Sequence, residues 1–102
     1  MIISKGAEIK CKKCFTKYDI SPEDFDIPET LSDERSMGYE IQYTWEYEMV
    51  CDKCENAMQI IVEGYEYPQG ILNYEEFTAN GCIFISNPSL EVNHLEEEDE
   101  TN

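Results

Sequence analysis

Two short cysteine pairs are the residues of this chain whose type and spacing point most directly to chemistry. One pair is Cys11 and Cys14, the other is Cys51 and Cys54, and each encloses two residues. A tight turn of that length places both sulfur atoms on the same side of the backbone. Two such turns facing each other supply four thiolates, the donor set of a closed tetrahedral Zn²⁺ site. The spacing therefore predicts one metal site built from all four cysteines.

A disulfide and a redox-active dithiol are the chemical alternatives for these pairs. The amino terminus carries no long apolar stretch, so the sequence predicts neither a signal peptide nor a transmembrane segment. We therefore expect a cytoplasmic protein, in which thiols stay reduced. A thioredoxin-like motif needs a C-x2-C turn that opens a helix, and neither pair begins a helical pattern. Metal binding is favoured over both alternatives.

The pairs resemble the metal-binding knuckles of zinc-ribbon domains, which are small β folds. The resemblance covers the two turns and the hairpin of residues 39–63. It implies a structural rather than a catalytic site, because no coordination position is left open. The ligands it implies for Zn²⁺ are Cys11, Cys14, Cys51 and Cys54.

Ribbon knuckles often carry glycine directly after the second cysteine. Here Phe15 and Glu55 occupy those positions. Asn56 is the nearby residue type that tolerates a left-handed conformation, so we expect the left-handed turn of the second knuckle at Asn56. The first knuckle has no comparable residue.

Alternation of apolar and polar residues identifies the principal hairpin. Apolar residues fill every odd position from Tyr39 to Met49, with polar residues between them. This period of two predicts a strand over 39–50 that packs one face on a core. An apolar run over 57–62 then predicts its partner strand. The apolar positions change phase at Gly64, which predicts a bulge there.

Weaker signals place the other elements. Ser21 followed by proline and acidic residues predicts a short helix. Residues 28–38 are typical of a loop, Asn80-Gly81 predicts a tight turn, and 82–85 predicts a buried strand.

These elements define the expected fold class and domain. We expect a mostly β domain, or a small α+β one, with a zinc-ribbon-like hairpin, additional strands and one short helix. We expect a single zinc-stapled domain over residues 1–94 and an acidic, disordered tail over residues 95–102.

The net charge of −16 limits the possible partners. Residues 1–17 carry +4, whereas residues 18–102 carry −20. Nucleic-acid binding relies on lysine and arginine to displace counterions, so we expect no direct DNA or RNA contact. A basic protein surface, reached by electrostatic steering, is the expected partner.

The strand over 39–50 carries the expected partner-binding residues. Glu40, Glu46 and Glu48 share one face, with neighbours two residues apart separated by about 6.6 Å. That spacing is close to the distance between successive phosphates of a DNA strand, so the face is a candidate DNA mimic. Tyr43 and Trp45 are candidate aromatic contacts, with core packing as their alternative.

Catalysis has little support in the sequence. Cys82 lies in an apolar run and is expected to be a small buried side chain. His94 lies beside the acidic tail, without a nucleophile or a partner carboxylate arranged around it. The sequence predicts no enzyme.

Two functions follow from these observations. The first is a non-enzymatic inhibitor or regulator that occupies a basic surface of a nucleic-acid-processing enzyme, such as a nuclease. Immunity proteins, antitoxins and phage anti-defence inhibitors share this size and charge. The alternative is a zinc-ribbon adaptor subunit of a nucleic-acid-processing complex, docked through an apolar edge.

Overall fold

The computed structural model of the chain describes residues 1–36 and 38–92. Within them the chain forms nine strands and a single turn of 3₁₀ helix, Pro22–Asp24. The expected mostly β class is confirmed. The strands are β1 (Ile2–Lys5), β2 (Ala7–Cys11), β3 (Lys17–Ile20), β4 (Glu29–Arg35), β5 (Gly38–Val50), β6 (Ala57–Glu66), β7 (Leu72–Asn80), β8 (Cys82–Ser86) and β9 (Ser89–Glu91).

Three antiparallel sheets make up the domain. The largest has the order β4-β5-β6-β7, a second has the order β3-β2-β8, and β1 pairs with β9. The chain passes between the two larger sheets where β7 gives way to β8. This junction lies beside the two cysteine pairs, because the backbone N–H of Lys12 donates to the carbonyl of Gly81.

The hairpin of β5 and β6 is the longest element and confirms the predicted alternation. Its pairing runs without interruption from Ile41↔Glu66 to Val50↔Ala57. Tyr43 and Trp45 are 7% and 4% exposed, so their face of the sheet lies on the core. We call this the inner face, and the opposite one the outer face.

The core is formed mainly by aliphatic, aromatic and sulfur-containing side chains from all three sheets. The most completely buried aliphatic residues are Ile9, Ile60 and Val62. The side chains of Tyr43 and Trp45 stack with their ring centroids 6.2 Å apart. Core packing, the alternative considered for these two aromatics, thus describes their positions.

The predicted bulge does not lie at Gly64, although the register of β6 with β7 shifts close by, between Tyr65 and Glu66. Tyr43 pairs with Gly64 in unbroken register, and the alternation of β6 continues through Glu66, which is fully buried. The misleading signal came from Tyr65, a large side chain on the outer face, and Glu66, a carboxylate on the inner one. Glu66 accepts hydrogen bonds from the Tyr43 hydroxyl at 2.8 Å and the Gly70 backbone N–H at 2.7 Å.

Gly64 lies instead where the side chains of the β1–β9 sheet approach β6 closely. A β-carbon at this position would lie 2.6 Å from the sulfur of Met1 and 2.8 Å from Cδ1 of Leu90. The absence of a side chain therefore lets the β1–β9 sheet settle onto β6.

One further expectation needs correction. Residues 29–35 are strand β4 rather than loop, because they pair along their whole length with β5. The short helix predicted after Ser21 is present as one turn of 3₁₀ helix, with a capping box through Asp24. His94 and the acidic tail, 95–102, lie outside the described residues.

Candidate metal centre

The four paired cysteines converge on one point. Their sulfur atoms all lie within 4.8 Å of one another. The Sγ atoms of Cys11 and Cys54 are 3.6 Å apart, and those of Cys14 and Cys51 are 3.4 Å apart. Bonds of about 2.3 Å to a tetrahedral ion would place the sulfurs about 3.8 Å apart. The cluster therefore has the dimensions to hold one metal ion.

Each cysteine pair forms a turn with the same backbone hydrogen bonds. Phe15 N donates to the Cys11 carbonyl at 3.0 Å, and Glu55 N donates to the Cys51 carbonyl at 2.8 Å. We call residues 11–16 the first knuckle and residues 51–56 the second. The first follows β2 and the second joins β5 to β6, so the cysteine cluster connects the two larger sheets.

The left-handed residues of the knuckles are those directly after the second cysteine. Phe15 has φ +64° and Glu55 has φ +63°. The expectation that Asn56 takes this role is wrong. A side chain in this conformation costs roughly 1–2 kcal/mol, and the closure of the sulfur cluster imposes it on two residues that do not favour it.

Asn56 acts on the site through its side chain. Its Nδ2 donates to the Gly81 carbonyl at 2.8 Å and lies 3.5 Å from the sulfur of Cys11. The backbone N–H of Lys12 donates to the same Gly81 carbonyl at 3.1 Å. One carbonyl group, located between β7 and β8, therefore holds both knuckles.

Glycine is required at position 81 for two reasons. Its φ is +77°, and a β-carbon would lie 2.2 Å from the Ala57 carbonyl oxygen. The predicted turn at Asn80-Gly81 is present as a change of direction. It leads from one sheet into another, because β7 and β8 pair with different strands.

In addition to Asn56, two other polar side chains contact sulfurs of the cluster. The Tyr18 hydroxyl lies 3.3 Å from the sulfur of Cys51 and 2.5 Å from a carboxylate oxygen of Asp52. Thr16 Oγ1 lies 3.1 Å from the sulfur of Cys14. Such outer groups orient ligands and offset the negative charge that thiolates bring to a metal.

The thiols differ in acidity for identifiable reasons. The pKa of Cys11 is lowered to about 6, mainly by the backbone N–H of Cys14. The Tyr18 hydroxyl is the main group that lowers the pKa of Cys51. The pKa of Cys54 is raised to about 12, mainly by desolvation and also by the neighbouring sulfurs. Metal ligation requires deprotonated cysteines, so a cation is what would allow all four to be thiolates together.

Cys82 lies next to the cluster without belonging to it. It pairs with Cys11 in the register of β2 and β8 and is 1% exposed. Burial is the main cause that raises the pKa of its thiol. The sequence-based interpretation as a small buried side chain is confirmed.

The residues predicted to bind a partner are divided between the two faces of the large sheet. Glu40, Glu46 and Glu48 share the outer face, with Glu46 and Glu48 exposed. Tyr43 and Trp45 face the core, where a partner does not reach them. The structure thus brings together the acidic part of the predicted surface only.

Sequence reasoning missed the supporting residues of the metal site. Tyr18 and Asn56 are close to a cysteine in the chain, but each acts on the cysteine pair of the other knuckle. That relationship depends on how β2, β3 and β5 are placed together. Only the left-handed glycine at Gly81 carried a recognisable signal, as part of an Asn-Gly turn.

Comparison of the chain with protein-family models, curated proteins and solved structures gives no match. Among the described residues, no helix has the length and apolar character needed to cross a membrane.

Proposed function

We propose that the cysteine cluster binds Zn²⁺ as a structural ion, and that the domain uses its acidic outer face to bind a basic protein surface. Four thiolates without an open coordination position favour zinc over metals that prefer oxygen ligands. The bound ion would fasten the large sheet to the three-stranded sheet. This zinc-ribbon-like clamp would hold in place the large sheet, whose acidic outer face binds the partner.

The acidic outer face is the observation that carries the binding function. Side chains alternate along a strand, so the register assigns seven carboxylates to this face. They are Glu29, Asp33, Glu40, Glu46, Glu48, Glu63 and Glu76.

Two pairs of these carboxylates lie directly opposite each other on neighbouring strands. Asp33 pairs with Glu40, and Glu63 pairs with Glu76. Like charges in such positions destabilise a sheet. Within the described part of the large sheet, Arg35 is the single basic residue, and it lies beside the first pair. A basic partner would relieve a repulsion that the free domain tolerates.

The arrangement fits a partner that normally binds nucleic acid. Glu46 and Glu48 lie about 6.6–7 Å apart along β5, and the pairs Asp33–Glu40 and Glu63–Glu76 face each other across strands about 4.8 Å apart. These separations approximate the spacing of charges along a nucleic acid. A nuclease or another nucleic-acid-processing enzyme has a groove of the complementary charge. Occupying that groove would make this domain an inhibitor or regulator, without catalysis of its own.

The zinc assignment is tested by metal analysis of the purified protein. We expect one zinc per chain by mass spectrometry. Replacement by Co²⁺ should give the intense visible absorption of a tetrahedral thiolate complex. A metal-free, folded protein would refute the assignment.

The acidic-face assignment is tested with a decalysine peptide as the basic probe. We expect binding at 20 mM NaCl that falls steeply by 500 mM, because exposed charges are screened over about 10 Å or less. Glu46→Gln should weaken binding. Asp19→Asn, an equal charge change at an exposed position of β3, should weaken it less. Salt-independent binding, or equal effects of both variants, would contradict the assignment.

A second candidate function is supported by an apolar groove at the metal end of the large sheet. The groove has a volume of about 490 Å³, and its lining includes Met49, Val50, Ala57 and Met58. Val50 is 59% exposed. An adaptor would dock through this groove, so Val50→Asp would abolish its assembly. The same change adds a carboxylate to the outer face near Glu48, so it should not weaken decalysine binding.

A further inference from the structure

A row of uncharged side chains crosses the acidic outer face from edge to edge. Leu31 pairs with Gln42, Gln42 with Tyr65, and Tyr65 with Tyr74. The tyrosine rings lie with centroids 5.5 Å apart. Leu31 and Tyr74 are 69% and 55% exposed. We call these four residues the central row.

Carboxylates border the central row on both sides. Asp33 and Glu40 occupy the next outward-facing row in one direction, whereas Glu29, Glu63 and Glu76 occupy the next row in the other. Gln42 donates a hydrogen bond to Glu63 at 3.0 Å. An apolar centre with a charged rim is the usual composition of a protein–protein hot spot.

One end of the central row forms a groove that already holds a guanidinium group. The groove has a volume of about 430 Å³ and is lined by Leu31 and Tyr65, among other residues. Nη2 of Arg35 lies 2.7 Å from Glu40 Oε1 and 3.8 Å from Asp33 Oδ2. The Arg35 side chain is 52% exposed, and exposed ion pairs contribute about 0–1 kcal/mol. An incoming group can therefore displace it at little cost.

We propose that this groove is an arginine-binding subsite, in which a guanidinium group from the basic partner takes the place of Arg35. Asp33 and Glu40 would accept its hydrogen bonds, and the Leu31 and Tyr65 side chains would cover its apolar stem. The inference rests on the proposed function and adds to it the side chain that the partner must present.

Arginine fits this groove better than lysine does. A guanidinium group presents its donors in a planar fork that matches two carboxylates, and it stacks on aromatic rings. The tyrosine is well suited to stay neutral beside a cation. Burial raises the pKa of Tyr65, and Glu63, Glu76, Tyr74 and Glu40 raise it further.

Octa-arginine and octa-lysine peptides, which carry equal charge, provide the test. We expect the zinc-loaded protein to bind octa-arginine about three- to tenfold more tightly at 100 mM NaCl. Tyr65→Leu should abolish that preference, and Tyr65→Phe, which retains the ring, should keep it. Circular dichroism and zinc content would confirm that both variants are folded.

Two matched variants separate the groove from overall charge. Arg35→Ala should strengthen octa-arginine binding at least threefold more than Lys17→Ala does, because only the former opens the groove. Glu46→Gln, outside the groove, should weaken binding of both peptides and leave the preference unchanged.

The outcomes distinguish this inference from the proposed function. Equal, salt-sensitive binding of both peptides that is insensitive to Tyr65→Leu would overturn the arginine subsite and leave the acidic-face function standing. If neither peptide binds in a salt-sensitive way, both are overturned.

Discussion

Phe15 and Glu55 adopt the same left-handed conformation at equivalent positions of the two knuckles, with φ values of +64° and +63°. Neither is a glycine, so both pay a conformational cost. The backbone hydrogen bonds that close the knuckles are also equivalent. The need to bring four sulfurs together thus determines the backbone more strongly than the residue type does.

Glycine at position 55 should stabilise the domain. Relief of the left-handed strain, less the entropy that glycine adds to the unfolded chain, should raise the free energy of unfolding by about 0.5–1 kcal/mol. Urea denaturation of zinc-loaded Glu55→Gly measures this. Glu55→Gln separates the effect of charge, and Lys53→Gly, at an ordinary φ, should destabilise instead. A loss of stability in Glu55→Gly would contradict the strain argument.

Removal of a cluster cysteine should have a different effect from removal of the neighbouring buried one. Cys54→Ala deletes one of the four convergent sulfurs, so we expect its zinc content to fall well below one per chain. Cys82→Ala should keep one zinc per chain and lose about 1 kcal/mol of stability through a small cavity. Zinc loss in the second variant would place Cys82 among the ligands.

The Tyr18 hydroxyl should contribute to metal affinity. Its contact with the Cys51 sulfur at 3.3 Å places it among the outer groups whose loss typically weakens metal binding about 10–100-fold. We expect Tyr18→Phe to lower zinc affinity within that range in competition with a chelator. Tyr74→Phe removes an exposed hydroxyl elsewhere and should leave the affinity unchanged.

Alanine at position 81 should be among the most damaging single changes. The added β-carbon would lie 2.2 Å from the Ala57 carbonyl oxygen at a φ of +77°, and the backbone shift would disturb the bridge to both knuckles. We expect a loss above about 3 kcal/mol and weakened zinc retention. Gly38→Ala provides the control, because its φ is also positive while its β-carbon meets nothing within 4 Å. It should cost only about 1–2 kcal/mol.

Stability should decline in alkaline solution because of Tyr43. Burial is the main cause that raises the pKa of this tyrosine above its ordinary value near 10, followed by the hydrogen bond to Glu66. Below pH 10 both the folded and the unfolded chain keep the proton. Above pH 10 the unfolded chain loses it first, so the free energy of unfolding falls by up to about 1.4 kcal/mol per pH unit. Urea denaturation between pH 9 and 11 should show a shallower decline in Tyr43→Phe, and equal slopes would refute the argument.

The parts predicted correctly from sequence are those with a strong local signal. The apolar alternation of residues 39–50 identified β5, and the cysteine spacing identified the convergent cluster. Strand β4 escaped prediction because all seven of its residues are exposed. A strand without a buried face has no apolar period, and its extended form comes from pairing with a distant partner.

Other features depend on tertiary contacts that local patterns do not encode. Glu66 occupies a position where alternation predicts an apolar residue, and a tyrosine hydroxyl compensates its burial. The central row is formed by Leu31, Gln42, Tyr65 and Tyr74, which are far apart in sequence. Its composition becomes visible only once the register of the four strands is known.

Because β4 is fully exposed, the two ends of the large sheet should differ in how often their strand pairing opens. At one end, the knuckles and Gly81 link several elements, so opening requires the core and the cysteine cluster to come apart. At the other, β4 is attached mainly by its hydrogen bonds to β5, and such segments open locally far more often than the core does. The edge beside the groove can therefore adjust its twist to an approaching surface while the clamped end remains closed.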